Sequence, residues 1–388
     1  MRHLRLEGLD RSIAFSPNAA DVEAGLRSIL IGWPQDQRPA DAEIVVERRR
    51  GKVVVTRPSM GLRLVEPSVT SGVCSLVIEI VDMLIAAKPD FGCLHAGAAE
   101  YDGRLVLFPA THRAGKSTLM ARLAHAGRRI FADDLIPVDL TSGEGVASGC
   151  LPRPRLPLPA APRPGFRDWV KAHTVLSDGY YAYVGGPAAR HGERRPVGAI
   201  VLLERQDRPC APQLSEAKIE DALLATLSSN TMRDETNLQS FDRYLEVVRS
   251  CRAYRLRYCG LDDAAEALEA AFDPFPAPAP PSFGETRTVH EALPPAPTAG
   301  QIRYARHGAV QMNAVGGSAF LLRPDGEIFM LDPVGRGVWN ALAEPQDIDS
   351  LTAAFELAFP EVDRSRLRRD VAALVGQLAE RELIRVAD

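Results

Sequence analysis

Little in this chain of 388 residues points to a metal, an export route or a membrane. The six cysteines (Cys74, Cys93, Cys150, Cys210, Cys251 and Cys259) are scattered. With no C-x-x-C pair and no histidine cluster at ligand spacing, neither a zinc site nor a disulfide framework is expected. The opening MRHLRLEGLDRSIAFSP lacks the apolar run of a signal peptide. The most apolar stretch, VCSLVIEIVDMLIAA, is broken by Glu79 and Asp82 and falls short of a membrane span, so it reads as an amphipathic or buried helix. Charge of one sign is also missing. Lys and Arg number 46 against 50 Asp and Glu, a net −4 that supplies no basic field for nucleic acid. A cytoplasmic protein without nucleic-acid or membrane partners is expected. With 46% hydrophobic and 25% charged residues, the chain has the composition of a folded protein of two to three domains.

Proline is plentiful, and it punctuates. In residues 273–300 it recurs at Pro274, Pro276, Pro278, Pro280, Pro281, Pro294, Pro295 and Pro297, removing backbone donors and favouring extended chain. That segment reads as a spacer. A second cluster, CLPRPRLPLPAAPRPGF (150–166), reads as a surface loop. The spacer separates a catalytic part, residues 69–272, from a small unit, residues 301–388. Ahead of both, residues 1–68 form a β-containing subdomain in which AEIVVERRRGKVVVTRP has a hairpin pattern.

Within 69–272, a helix from about Ser71 to Lys88 precedes GAAEYDGRLVLFPA, a hairpin feeding a buried strand. GKSTLMARLAHAG then reads as a helix ending at Gly127, and RRIFAD as a short strand. Later, VGAIVLLER reads as a buried strand, SEAKIEDALLATLSS as a helix, CRAYRLRYC as an edge strand and DDAAEALEAAF as a closing helix.

The stretch ATHRAGKST, residues 110–118, ends like a phosphate-binding loop, although Ala110 stands where glycine usually begins the pattern. In such a loop, backbone amides and a helix N-terminus face the phosphates, a lysine reaches the terminal oxygens and a hydroxyl holds magnesium. His112, Arg113, Ala114, Gly115, Lys116, Ser117 and Thr118 are the candidate ATP cradle, with Lys116 on the phosphates and Ser117 on Mg²⁺. A bare G-K-[ST] is common, and strand-loop-helix context is what gives this one meaning. Asp133 and Asp134, after the next strand, add the carboxylates such a site needs, directly beside the loop if the two strands are parallel neighbours. A turn or cap is their bland alternative. His95 could meet a carboxylate or the terminal phosphate, or be a satisfied polar group.

The run LHAGAAEYDGRLVLFPATHRAGKSTLMARLAHAGRRIFADDLIPVD resembles the core of HPr kinase/phosphorylase, and more closely the HPr-kinase-related proteins of peptide-processing systems. The resemblance implies an α/β P-loop fold related to phosphoenolpyruvate carboxykinase, with ATP and Mg²⁺ as cofactors. It implies that Asp133 is the general base, that Asp134 stands with Ser117 on the metal side, and that His95 and Arg153 belong to the catalytic set. The glycine-rich signature of true HPr kinases is absent, so their regulation and reverse reaction are not carried over. The resemblance leaves room for a homo-oligomer.

The last unit reads as a winged-helix-like α+β module: two strands meeting at PDG, a helix capped by Asp332 with Pro333 in its first turn, and two more helices. Leu367, Val371, Leu374, Val375 and Leu378 mark the inner face of the last helix. FMLDPVGRGVWNAL and DVAALVGQLAERELI resemble the PqqD family of peptide-recognition elements. The resemblance implies a leader peptide added as a strand near Phe329, Met330 and Leu331, with the basic helix from Arg364 and Arg368 favouring an acidic leader. Together the two resemblances imply a kinase for a hydroxyl, with serine expected, of a ribosomally made precursor peptide. The alternative is a non-catalytic nucleotide-binding chaperone that hands the precursor to another enzyme.

Overall fold

The computed structural model describes residues 1–109, 115–159, 165–232, 237–277 and 301–387. It is a mixed α/β protein whose described residues fall into two compact units. The first holds residues 1–217, 229–232 and 243–277; the second holds 218–228, 237–242 and 301–387.

The first unit opens with β1 (Arg2–Leu4), β2 (Ser12–Phe15), α1 (Ala20–Ile29), β3 (Ala42–Arg49), β4 (Lys52–Arg57) and β5 (Leu62–Glu66), whose strands form a five-stranded sheet in sequence order. The expected hairpin is present as β3 and β4, with Arg49 opposite Lys52. This sheet does not keep a core of its own. Ile13, Val46 and Val55 pack with Val73, Leu76 and Ile80 of α2 (Val69–Ala86) and with Leu151 and Tyr183, so residues 1–68 share their interior with later parts of the same unit.

Helix α2 starts where Ser68 and Ser71 form a reciprocal capping box. By length and composition it could cross a membrane, but 56% of it is buried inside the protein. Its acidic residues are held by Arg57 of β4, which bonds Glu79 at 3.1 Å and Glu43 at 3.2 Å and also pairs with Asp82.

A second sheet is built from β6 (Phe91–Tyr101), β7 (Arg104–Pro109), β8 (Ile130–Ala132), β9 (Leu135–Asp139) and β10 (Glu144–Val146), together with later strands. Helix α3 (Lys116–His125) comes between β7 and β8. Later in the chain come α4 (Phe166–His173), the ribbon β11 (Thr174–Ser177) and β12 (Ala182–Val184), then β13 (Arg194–Arg205) and β14 (Gln213–Glu216). Helices α5 (Ile219–Ser228) and α6 (Asn237–Arg249), strand β15 (Arg252–Tyr258) and helix α7 (Leu261–Phe272) complete this part. The strand order is β10-β9-β6-β7-β13-β15-β14, with β8 also paired to β6.

Two expectations are corrected here. Strands β7 and β8 are not neighbours: β6 runs between them, antiparallel to both, so they share a direction one strand apart. Strand β15 is interior, parallel to β13 on one side and antiparallel to β14 on the other. Its alternation places Arg255 and Arg257 opposite the buried Leu256 and Tyr258 and does not mark an open edge.

The second unit contains β16 (Tyr304–Arg306), β17 (Gln311–Val315), β18 (Ser318–Leu322), β19 (Ile328–Leu331), α8 (Pro333–Ala341), α9 (Ile348–Ala358), α10 (Arg364–Glu380) and β20 (Ile384–Val386). Asp332 caps α8 by accepting from the Gly335 amide at 2.8 Å. Ala319 and Leu321 of β18 face the helical core around Trp339, Val371 and Leu378. The intervening Phe320 turns to the opposite face and meets Phe241 of α6 edge-on, with centroids 5.5 Å apart. Helix α5 packs on β19 of the same sheet. The unit expected at 301–388 therefore takes in residues from before the spacer, because this sheet has two apolar faces to cover. The spacer lies outside the described residues from 278 onward.

Candidate functional site

Strand β6 is rich in small residues, Ala96, Gly97, Ala98 and Ala99, and this lets α3 approach the sheet closely. At Gly97 an added Cβ would stand 3.0 Å from the Met120 sulfur and 3.2 Å from Cγ of Lys116. The glycine thus makes room for the lysine stem. At the start of α3, Gly115 adopts φ +79°, a left-handed conformation that favours glycine. The first helical turn leaves amides without intrahelical acceptors, and the positive end of the helix dipole lies there, an arrangement suited to an anion. Ala110, His112, Arg113 and Ala114 lie outside the described residues.

The remaining site residues come from strand ends. β8 delivers Asp133 and Asp134 at its C-terminal end, and β6 carries His95 beside them. His95 Nε2 is 2.8 Å from Asp134 Oδ1. The backbone amide of Arg153 donates to Asp133 Oδ2 at 2.8 Å, while its guanidinium lies 4.0 Å from Asp134 Oδ2 and 4.4 Å above the ring of Tyr181. The structure thus brings together Lys116, Ser117, Asp133, Asp134, His95 and Arg153.

Electrostatics separates the two carboxylates. Burial pushes Asp133 above the ordinary carboxylate range, helped by Asp134 and opposed by the Arg153 amide, Lys116 and Ser117. For Asp134, burial acts the same way but is outweighed by the His95 hydrogen bond and the charges of Lys116 and Arg153, so it is held low. Burial lowers Lys116, against the pull of both carboxylates.

Two buried atoms at this point, Lys116 Nζ and Asp133 Oδ1, have no hydrogen-bond partner among the described residues. Leaving such a group unmade costs about 1–3 kcal/mol, more for a charge, so their convergence suits a polar ligand carrying phosphate and a cation. Among the described residues no three His, Cys, Asp or Glu side chains form a metal cage. Magnesium is commonly held by one or two carboxylates and substrate phosphates rather than by protein alone, and Asp133 and Asp134 beside Ser117 are residues of that kind.

Several neighbours were not legible beforehand. Tyr258 and Arg205, at the ends of β15 and β13, are the side chains nearest a Cβ at Gly115, at 3.6 and 3.7 Å. A cavity of about 330 Å³ adjoins His95 and Asp134, and part of its wall is Thr231 and Met232. Thr231 is tied to β6 through the Cys93 carbonyl, which accepts from its amide at 2.9 Å and its hydroxyl at 3.1 Å. No motif marks these positions, which are distant in sequence from the loop.

In the second unit, β19 pairs with β18 and forms an edge of its three-stranded sheet, placing Phe329, Met330 and Leu331 there. Arg381 lies 4.7 Å over the Phe329 ring. Arg364 and Arg368 are exposed, but each already has an acidic partner, Glu356 at 3.3 Å and Asp349 at 2.7 Å. The basic face expected from the sequence is therefore partly neutralised within the unit.

Residues 307–384 match the family described as coenzyme PQQ synthesis protein D, PqqD, so the chain carries a PqqD-like domain at its carboxy-terminal end. A solved structure described as TbiB1 in complex with the TbiA(beta) leader peptide is 29% identical to the matched segment, which covers 22% of this chain and 99% of that one with a TM-score of 0.20. No curated protein matches the chain.

Proposed function

We propose that the protein is an ATP- and Mg²⁺-dependent kinase that phosphorylates a hydroxyl, with serine expected, of a ribosomally made precursor peptide recruited by its leader through the PqqD-like domain. The convergence of buried Asp133 with Lys116 of α3, their Oδ1 and Nζ both without a partner among the described residues, carries the reading. The PqqD match supports the peptide as partner.

Lys116 and the first amides of α3 hold the terminal phosphates. Magnesium, when bound, supplies charge neutralisation on the phosphate oxygens. Ser117 and Asp134 would hold it, and His95 and Arg153 keep Asp134 ionised. Asp133, held above the usual range by burial, is the better proton acceptor, since a base poised near the working pH is most effective. It takes the proton from the serine hydroxyl as that oxygen bonds to the γ-phosphorus; the bridging bond to the β-phosphate breaks, and ADP leaves. Tethering by the leader raises the local concentration of the acceptor. The reading places the enzyme in the cytoplasm.

The test is an intact-mass spectrum after mixing the full chain with Mg·ATP and the small peptide encoded beside its gene. One added phosphoryl group is expected, and it should disappear in Lys116→Ala and Asp133→Asn. Peptide that binds but stays unmodified would favour the chaperone.

A further inference from the structure

The cavity beside His95 and Asp134 has a volume of about 330 Å³. It lies against α2, and Ile78, Val81, Ile85, Leu135 and Met232 form its apolar wall. Its polar walls are already engaged. Asp82 is paired with Arg57, and Thr231 donates to the Cys93 carbonyl. Burial pushes the Cys93 thiol up to about 12, so it is neutral. What the cavity offers an occupant is therefore an apolar surface with one polar end, the His95–Asp134 pair.

Size and position narrow the occupant. A dry cavity of about 150 Å³ accepts a benzene ring, so about 330 Å³ holds a full apolar side chain with room for backbone. It adjoins a small pocket that holds Asp133, the two sharing Ile78, Asp134 and Leu135, and Lys116 and Ser117 line neither, so it is reached from the general base on the side away from the phosphate loop. Ile78, although apolar, is 36% exposed on this wall, and Ala86 is exposed at the end of α2.

We infer that this cavity is the subsite for an apolar side chain, of leucine to phenylalanine size, on the residue next to the acceptor hydroxyl of the peptide. The inference rests on the phosphotransfer reading above. A hydroxyl within about 3 Å of Asp133 leaves its neighbour, one extended residue of about 3.5 Å along, at the adjoining cavity. Burying that side chain selects the substrate without touching the reacting atoms.

The experiment uses the full chain and three capped dipeptides: acetyl-Ser-Leu-amide, acetyl-Leu-Ser-amide and acetyl-Ser-Ala-amide. Saturation-transfer NMR reads contact of the side-chain methyls with the protein, and phosphopeptide formation from Mg·ATP is followed in parallel. At least one leucine dipeptide should show strong methyl saturation that adenosine does not displace. Ala86→Trp, which plugs the exposed end of α2, should abolish that signal, and kcat/KM for leucine over alanine should fall from about tenfold or more to near unity. Equal saturation for leucine and alanine, insensitivity to Ala86→Trp, no saturation at all, or displacement by adenosine would each overturn the subsite. Leucine contact sensitive to Ala86→Trp but without phosphopeptide would retain the subsite and remove the kinase. Phosphopeptide formed equally from all three would do the reverse.

Discussion

At the scale of single residues, Asp133, the general base of the proposed reaction, would set function against stability. Its carboxyl is raised in the folded state mainly by burial, so folding favours the protonated form. The associated stability is fully present below the unfolded carboxylate value, about 3.9, and is lost as pH rises through the folded value. Asp133→Asn imitates the neutral form at every pH. Calorimetry should therefore give the variant a higher Tm than the wild type at pH 7, with the two converging near pH 4, while turnover falls by about a hundredfold or more. A lower Tm at pH 7 would mean that Lys116 and Ser117 already compensate the ionised carboxylate.

At the scale of elements, the site depends on how closely α3 lies on β6. Gly97→Val places a branched side chain against the Met120 sulfur and the Lys116 stem. Isothermal titration with Mg·ATP should show affinity reduced by about tenfold or more, and circular dichroism should show the helices intact. Unchanged affinity would place the lysine elsewhere. The elements around this contact were readable because each signal is local: the β6–β7 turn, the start of α3 after Gly115, and the apolar run before Asp133. Adjacency was not readable. RRIFAD carries the residues of a strand but nothing that says β6 will pair on both sides, and only the pairing separates β7 from β8. Strand β14, QLSE, is too short and polar to announce itself, which is why β15 passed for an edge. His95, Asp133, Asp134 and Lys116 were legible from their types and order. Arg205, Tyr258, Thr231 and Met232 were not, because long-range packing alone brings them to the site.

At the scale of the whole molecule, the proline spacer suggested two parts joined by an extended segment, but the chain is divided differently. Helix α5 and residues 237–242 of α6 group with the PqqD-like domain, whereas residues 229–232 and 243–249 group with the first unit. The apolar pattern of β18 accounts for this, since Ala319 and Leu321 serve one core while Phe320 needs a second cover, which Phe241 provides. Both phenylalanines are almost fully buried, and replacing such a ring by alanine typically costs about 3–5 kcal/mol. A protease site placed within residues 285–295 and then cut should therefore not release the carboxy-terminal piece, which stays bound through α5 and Phe241. Size-exclusion chromatography should give one peak containing both pieces. Phe241→Ala in the cut protein should split that peak, yet leave the uncut protein in one piece. Release of the piece from cut protein with Phe241 intact would mean that the spacer alone holds the recognition domain to the rest of the chain.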